Sequence, residues 1–193
     1  IFFFGINRTF LSDFHFADDW ELIKFQQELQ SSSYLTVLEH YIERDFSWRF
    51  RPFYYAHQIA MVKVFGLNFI VLYIYKIIIF ILTLLLLFKF GKNYGFSPGE
   101  SLLFVSLIFI GHQMAVWWRL GPNEAIALFL LAVALNVITS KNINQLLAKV
   151  IFVVSLSLSA LSKESFTIII PAVVLLLLHH RHSTKNSISK TIL

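Results

Sequence analysis

Cysteine is absent from the 193 residues, which excludes disulfides, thiolate metal sites and a cysteine nucleophile. Charge is also scarce. Asp, Glu, Lys and Arg make up 14% of the chain, against about 25% in an ordinary soluble domain. Hydrophobic residues reach 57%, Phe alone supplies 21, and mean hydropathy is +0.69. No water-soluble fold of this length buries that much apolar surface. A basic region ahead of the first apolar stretch is lacking too, which argues against a cleaved signal peptide. The chain opens on Ile1 within an apolar run, Ile1 to Ile6, that is already under way, so the expectation is a piece of a longer polytopic membrane protein.

The net charge of +5 is unevenly spread. Between Arg8 and Lys63 eight acids face six bases; the remainder holds ten bases and three acids, Glu100, Glu124 and Glu164. A nucleic-acid binder gathers its bases on one solvated face. Here they punctuate apolar runs, as membrane-flanking residues do, so nucleic acid is excluded as a partner and membrane lipids are expected instead.

A membrane span takes about 20 apolar residues. Five stretches approach this: Leu67–Phe90, Pro98–Trp118, Pro122–Thr139, Leu146–Leu161 and Ser165–His179. Ser97 and Glu100 read as a capping box at the second of these, with Pro98 at the first helical position. The fold expected is therefore all-α: a polytopic transmembrane helix bundle of about five spans, plus the end of an earlier span at 1–6. Residues 7–66 form an external loop of amphipathic helices, 67–180 the membrane helices and 181–193 a cytoplasmic connection.

Orientation follows from the short connections. Lys89, Lys92, Lys141, Lys149, Arg181, Lys185 and Lys190 fall on one side, and only Arg119 and Lys163 on the other. The basic side is cytoplasmic. The expected location is the inner (plasma) membrane, multi-pass, with the long 7–66 segment outside. That segment carries helical periodicity. Leu22, Phe25 and Leu29 share a face behind an Asp18 cap with Glu21 three residues on, and Leu35, Leu38 and Ile42 share another. A third helix is expected from Pro52 to Gly66. All three are amphipathic pieces suited to lying along the membrane surface.

Four polar features reach the outer boundary together: Asp18-Asp19-Trp20, Arg49 with Arg51-Pro52, the Arg119-to-Glu124 turn, and Ser162-Lys163-Glu164-Ser165. A hairpin at a membrane face is easily built from Gly, Asn and Ser, so charges recurring there mark a substrate path. They supply carboxylates to accept a proton and cations to hold a phosphate. Simpler roles exist for each. Asp18 suits a helix cap, Arg49 and Arg51 suit anionic headgroups, Glu124 and Glu164 suit helix N-termini, and Arg119 and Lys163 suit snorkelling. Lys76, buried in a span, is expected to pair within the bundle, His112 and Gln113 to hydrogen-bond between helices, and Trp117 and Trp118 to sit in an interfacial aromatic belt.

In this order, with the Phe65-Gly66-Leu67-Asn68 end of the third helix between them, these features resemble the N-terminal part of a GT-C-type integral membrane glycosyltransferase. That class includes protein O-mannosyltransferases and lipid A aminoarabinose transferases. The resemblance implies transfer of a sugar from a polyprenyl-phosphate donor to a lipid, glycan or protein acceptor on the outer face, with inversion. It assigns the general base to the acidic pair, Asp18 first, with Asp19 orienting the acceptor or holding a divalent cation such as magnesium or manganese. Arg51, Arg119 and Lys163, with Arg49 behind them, would bind the donor phosphate, and Glu124 and Glu164 would position those cations or the sugar. The pair here is Asp-Asp where better-known members have Asp-Glu, so either carboxylate remains open as the base. A transporter or flippase of lipid-linked sugars, and a glycan polymerase or ligase, are the rival readings. A transporter would carry its polar residues at the bilayer midplane, not at one face.

Overall fold

The computed structural model describes residues 19–110, 114–140 and 143–176, and within them it is all-helical, with no strand. The first three helices are α1 (Trp20–Ser31), α2 (Tyr34–Phe46) and α3 (Pro52–Phe65). They are followed by α4 (Phe69–Tyr94), α5 (Pro98–Ile108), α6 (Ala115–Trp118), α7 (Glu124–Thr139) and α8 (Gln145–Ser162). A 3-10 turn at Glu164–Phe166 begins a last apolar stretch that runs to Leu176.

Local chemistry sets most of the boundaries. Ser33 starts α2 by accepting the Thr36 N–H, and Asn68 starts α4 by accepting that of Val71. Pro52 opens α3, whose end is Gly66 at φ 60°, and α4 stops at Gly95 at φ 114°, a left-handed conformation that glycine adopts without strain. The capping box before α5 is formed in both directions, Glu100 Oε2 accepting the Ser97 N–H at 2.7 Å and Ser97 Oγ that of Glu100 at 3.3 Å. At α1 the structure corrects the expectation. Asp19, not Asp18, is the N-cap residue, and its side chain makes no capping bond because it is engaged elsewhere.

The three leading helices do not spread as separate surface pieces. They pack on one another around Leu22, Phe25, Val37, Tyr41, Tyr54, Tyr55, Ile59 and Val62, all buried. On α2 the buried face is centred on Val37 and Tyr41, whereas Leu35 is 71% exposed; Leu38 and Ile42 lie partly buried beside it. Tertiary packing chose a face one step round from the one the leucines marked.

Beneath this cap, α7 lies against both α4 and α8. Its fully buried Ala127, Ala132 and Ala134 let the helices approach closely, and Ser159 of α8 donates to the Ala127 carbonyl at 2.8 Å. Two helices, α4 with 26 residues and α8 with 18, are long and apolar enough to cross a membrane. At 1.5 Å per residue they measure about 39 Å and 27 Å. Ile70, Ile74, Ile78, Ile81, Leu82 and Leu85 form an exposed aliphatic stripe down α4, an arrangement suited to lipid. The stretch expected to run unbroken from Pro98 to Trp118 is interrupted, since α5 ends at Ile108 and α6 is one turn. Trp117 is 1% exposed between Phe80 and Phe109, at 4.9 and 5.7 Å between ring centres, and so belongs to the bundle core and not to an interfacial belt.

Candidate functional site

The residues Arg119-Leu120-Gly121-Pro122-Asn123 connect α6 to α7, and from Leu120 to Asn123 they are buried. A buried turn must pair its backbone groups, because an unpaired amide or carbonyl costs about 1–3 kcal/mol. Side chains from three other elements do this. Asp19, fully buried at the start of α1, accepts the Gly121 N–H on Oδ1 at 2.7 Å across 102 residues of sequence. Gln58 of α3 donates to the carbonyls of Leu120 and Gly121 at 3.5 and 3.4 Å. Lys76 of α4 donates to the carbonyls of Arg119 and Leu120. The turn reaches a fourth element itself, for Asn123 Nδ2 donates to the Ser162 carbonyl at the end of α8, at 2.6 Å.

One residue further along each strand of this contact, Lys163 Nζ meets Glu124 Oε1 at 3.1 Å. The start of α7 and the end of α8 are thus joined by two adjacent rungs, one buried and one partly exposed. Arg119 lies exposed on the same turn, and Glu164 is exposed next to Lys163. Asp19, Arg119, Glu124, Lys163 and Glu164 therefore gather at one end of the bundle. Asp18, His112 and Gln113 lie outside the described residues, as do 1–6 and 181–193.

A groove of about 360 Å³ opens beside Glu124, walled by Leu107, Ile108, Val116, Trp117, Leu128 and Phe166. Apolar walls with one ion pair at the rim suit a chain that is greasy along its length and charged at its head. A second cavity, about 40 Å³, lies under the turn between Lys76, Gln58, His57 and Tyr75. It has room for water but not for a sugar ring. There His57 Nε2 and the Tyr75 hydroxyl share a hydrogen bond at 2.7 Å. Burial, aided by the nearby Lys76 charge, pushes the His57 imidazole down to about 4, so it is neutral at physiological pH.

The other two arginines expected at the donor phosphate, Arg51 and Arg49, sit in the cap. Arg51 Nη2 donates to Asp45 Oδ2 at 2.7 Å and to the Tyr55 hydroxyl at 3.2 Å, and its guanidinium lies over the rings of Tyr54 and Tyr55. Burial alone would lower the Arg51 pKa and raise that of Asp45. The contacts outweigh it. Asp45 holds Arg51 above its ordinary value, while the Tyr55 hydroxyl and then Arg51 hold Asp45 below the usual carboxylate range. Tyr55 itself is pushed up to about 12 by burial and by the bond to Asp45. This network extends through Tyr54 to Glu21 and through Tyr41 to Glu28. Arg49 is exposed in the α2–α3 loop. Neither arginine joins the hydrogen bonds that fix the Arg119 turn.

No group of three or more His, Asp or Glu side chains able to hold a metal ion occurs among the described residues. Sequence reasoning missed Gln58. Its one signal is an amide in the middle of a helix whose neighbours Tyr54, Tyr55, Ile59 and Val62 are core residues. No protein-family model, no curated protein and no solved structure matches this chain.

Proposed function

We propose that this chain is part of a polytopic membrane glycosyltransferase of the GT-C type, resident in the inner (plasma) membrane. It would move a sugar from a polyprenyl-phosphate donor to a lipid, glycan or protein acceptor on the outer face. In this reading α4, α5 with α6, α7, α8 and the stretch after Glu164 are the five spans, and α1–α3 form the external cap. One observation carries the proposal. The Asp19-to-Gly121 hydrogen bond draws the acidic-pair loop onto the turn that bears Arg119, beside the Glu124–Lys163 pair. A proton acceptor and a phosphate site are what an inverting transfer needs within one cleft.

The roles divide by burial. Asp19 is a positioning residue, and Asp18, beside it in sequence, is the general base. It takes the proton of an acceptor hydroxyl while that oxygen attacks the anomeric carbon. The bond from that carbon to the phosphate oxygen breaks, and polyprenyl phosphate departs with the electron pair. Arg119 and Lys163 stabilise the charge that grows on the leaving oxygens, a contribution worth about 10²–10³-fold per donor. Glu124 holds Lys163 in place. The 360 Å³ groove receives the first part of the lipid chain. Arg51, engaged by Asp45, supports the cap, and Arg49 meets headgroups, so neither is assigned to the donor.

The test is turnover and lipid binding measured side by side on the full-length protein. Polyprenyl-phosphate sugars are added, and bound lipid is read by native mass spectrometry. Asp18→Asn should abolish transfer and retain the bound donor; Lys163→Met should weaken both. Retention of only bulk phospholipid by the unaltered protein would sink the proposal and favour a transporter.

A further inference from the structure

The α2–α3 connection ends in a cluster the fold leaves uncovered. Phe46, Trp48 and Phe50 are 69%, 89% and 50% exposed, and Arg49 is exposed between them. Phe46 and Phe50 meet edge to face at 5.7 Å, so the tip is a preformed aromatic knob. In water three such rings side by side are unfavourable. Residues 46–51 contain no acid, and Asp45 just before them is paired with Arg51; the exposed Glu43 stands further back on α2.

We propose that this tip, residues 46–50, inserts into the headgroup layer of an anionic bilayer. The rings would sit at the level where Trp and Phe partition, and Arg49 would meet lipid phosphate. Two features point to lipid and not to a protein. Within residues 46–50 the charge is that of Arg49, which complements an anionic surface. The tip is also joined to the candidate membrane helix: it opens directly into α3, and α3 passes through Gly66 into α4, which is long and apolar enough to cross a bilayer. At the far end of α3, Val64 and Phe65 are exposed as well. Helix α3 is thereby pinned at both ends, by the tip at one and by its continuation into α4 at the other. Since Gln58 of α3 holds the Leu120 and Gly121 carbonyls, the tip fixes the depth of the Arg119 turn relative to the membrane surface. The inference rests on α4 crossing a bilayer and is independent of glycosyl transfer.

No cysteine lies within the 193 residues, so a label placed there reports one position once any cysteine elsewhere in the full-length protein is replaced by serine. Ser47→Cys in the full-length protein is labelled with a nitroxide and reconstituted in phosphatidylcholine vesicles with and without phosphatidylglycerol. Accessibility to oxygen and to a water-soluble nickel chelate is compared with the same label at Glu39→Cys, an exposed site on α2. The oxygen-to-nickel ratio at position 47 should exceed that at 39 several-fold. Trp48→Ser, alone or with Phe46→Ser and Phe50→Ser, should bring it down to the control. Arg49→Ala should lower it only where phosphatidylglycerol is present. Equal ratios at 47 and 39 would overturn the proposal. So would a label shielded from both reagents in native membranes and from neither in pure lipid, which would show a protein covering the tip.

Discussion

Replacing Asp19 tests the framework on which the candidate site stands. Its fully buried carboxylate accepts the Gly121 N–H at 2.7 Å. Asp19→Ala removes a charge-assisted hydrogen bond and leaves that amide buried with no acceptor, at a cost of about 2–3 kcal/mol. Asp19→Asn keeps an oxygen in the same place and forfeits only the charge assistance, roughly 1 kcal/mol. For a chain of this size each kcal/mol moves the unfolding midpoint by about 2–4 °C. The alanine variant should therefore melt roughly 4–12 °C lower and the asparagine variant roughly 2–4 °C lower, followed by tryptophan emission in detergent. A local readout accompanies the global one. Arg119 is an exposed trypsin site on the turn that Asp19 restrains. If cleavage samples the opened turn, 2–3 kcal/mol corresponds to roughly 30- to 150-fold faster cutting after Arg119 in Asp19→Ala. An asparagine variant as damaged as the alanine one, or an alanine variant with unchanged melting and cleavage, would refute the assignment of Asp19 to the turn. Under the proposed function, Asp19→Asn also retains measurable turnover where Asp18→Asn does not.

Three further outcomes follow from the geometry. Arg51→Ala breaks the pair with Asp45 and the bond to Tyr55 and should cost about 2 kcal/mol in urea unfolding; exposed Arg49→Ala should change it by less than about 0.5 kcal/mol. The partly exposed Glu124–Lys163 pair contributes about 0–1 kcal/mol, so Lys163→Met should leave the melting midpoint within about 4 °C of the unaltered protein. Turnover in that variant should fall about 10²-fold, and a large loss of stability instead would make the pair structural. Because the folded-state pKa of His57 lies below the ordinary 6.5, the unfolded chain takes up a proton first as pH falls. Stability should be level above 6.5, decline between 6.5 and about 4, and flatten below that. The total loss is on the order of 3 kcal/mol, and His57→Gln should flatten the slope.

What could be read from the sequence, and what could not, divides along the range of the interactions. The start of α5 at Pro98, the run of α3 from Pro52 to Gly66, and the long α4 depend on neighbours within a few residues, and each lies where those residues place it. The stop of α4 four residues beyond Phe90 depends on Gly95, again local. Failures begin where a partner lies far along the chain. Asp19 looks like half of an acidic pair before a helix, yet its bond is to Gly121, 102 residues on. Leu35 looks like a core leucine, yet Tyr41 and Val37 fit the space left between α1 and α3. Trp117, next to Trp118 and Arg119 in sequence, looks interfacial, yet Phe80 and Phe109 close over it. For Asp19 and Trp117 the local pattern marks a residue that must find a partner and carries no information about which one; for Leu35 it marks the wrong face of the helix.

The same distinction bears on which charged residues remain available for chemistry. A buried turn has little water to satisfy its backbone, so its carbonyls and amide recruit polar side chains from whatever packs against it. Here the turn takes up Asp19, which the sequence marks as half of an acidic pair, Lys76, which it marks as a buried cation in need of a partner, and Gln58, which it does not mark at all. Arg119 stays exposed on that turn, and Glu124 and Lys163, partly exposed beside it, hold one another. Fixed charges of this kind need little reorganisation when a substrate's charge develops, which is what makes electrostatic stabilisation effective. Under the proposed function, the partly exposed ion pair beside the apolar groove is where a charged lipid head would be met.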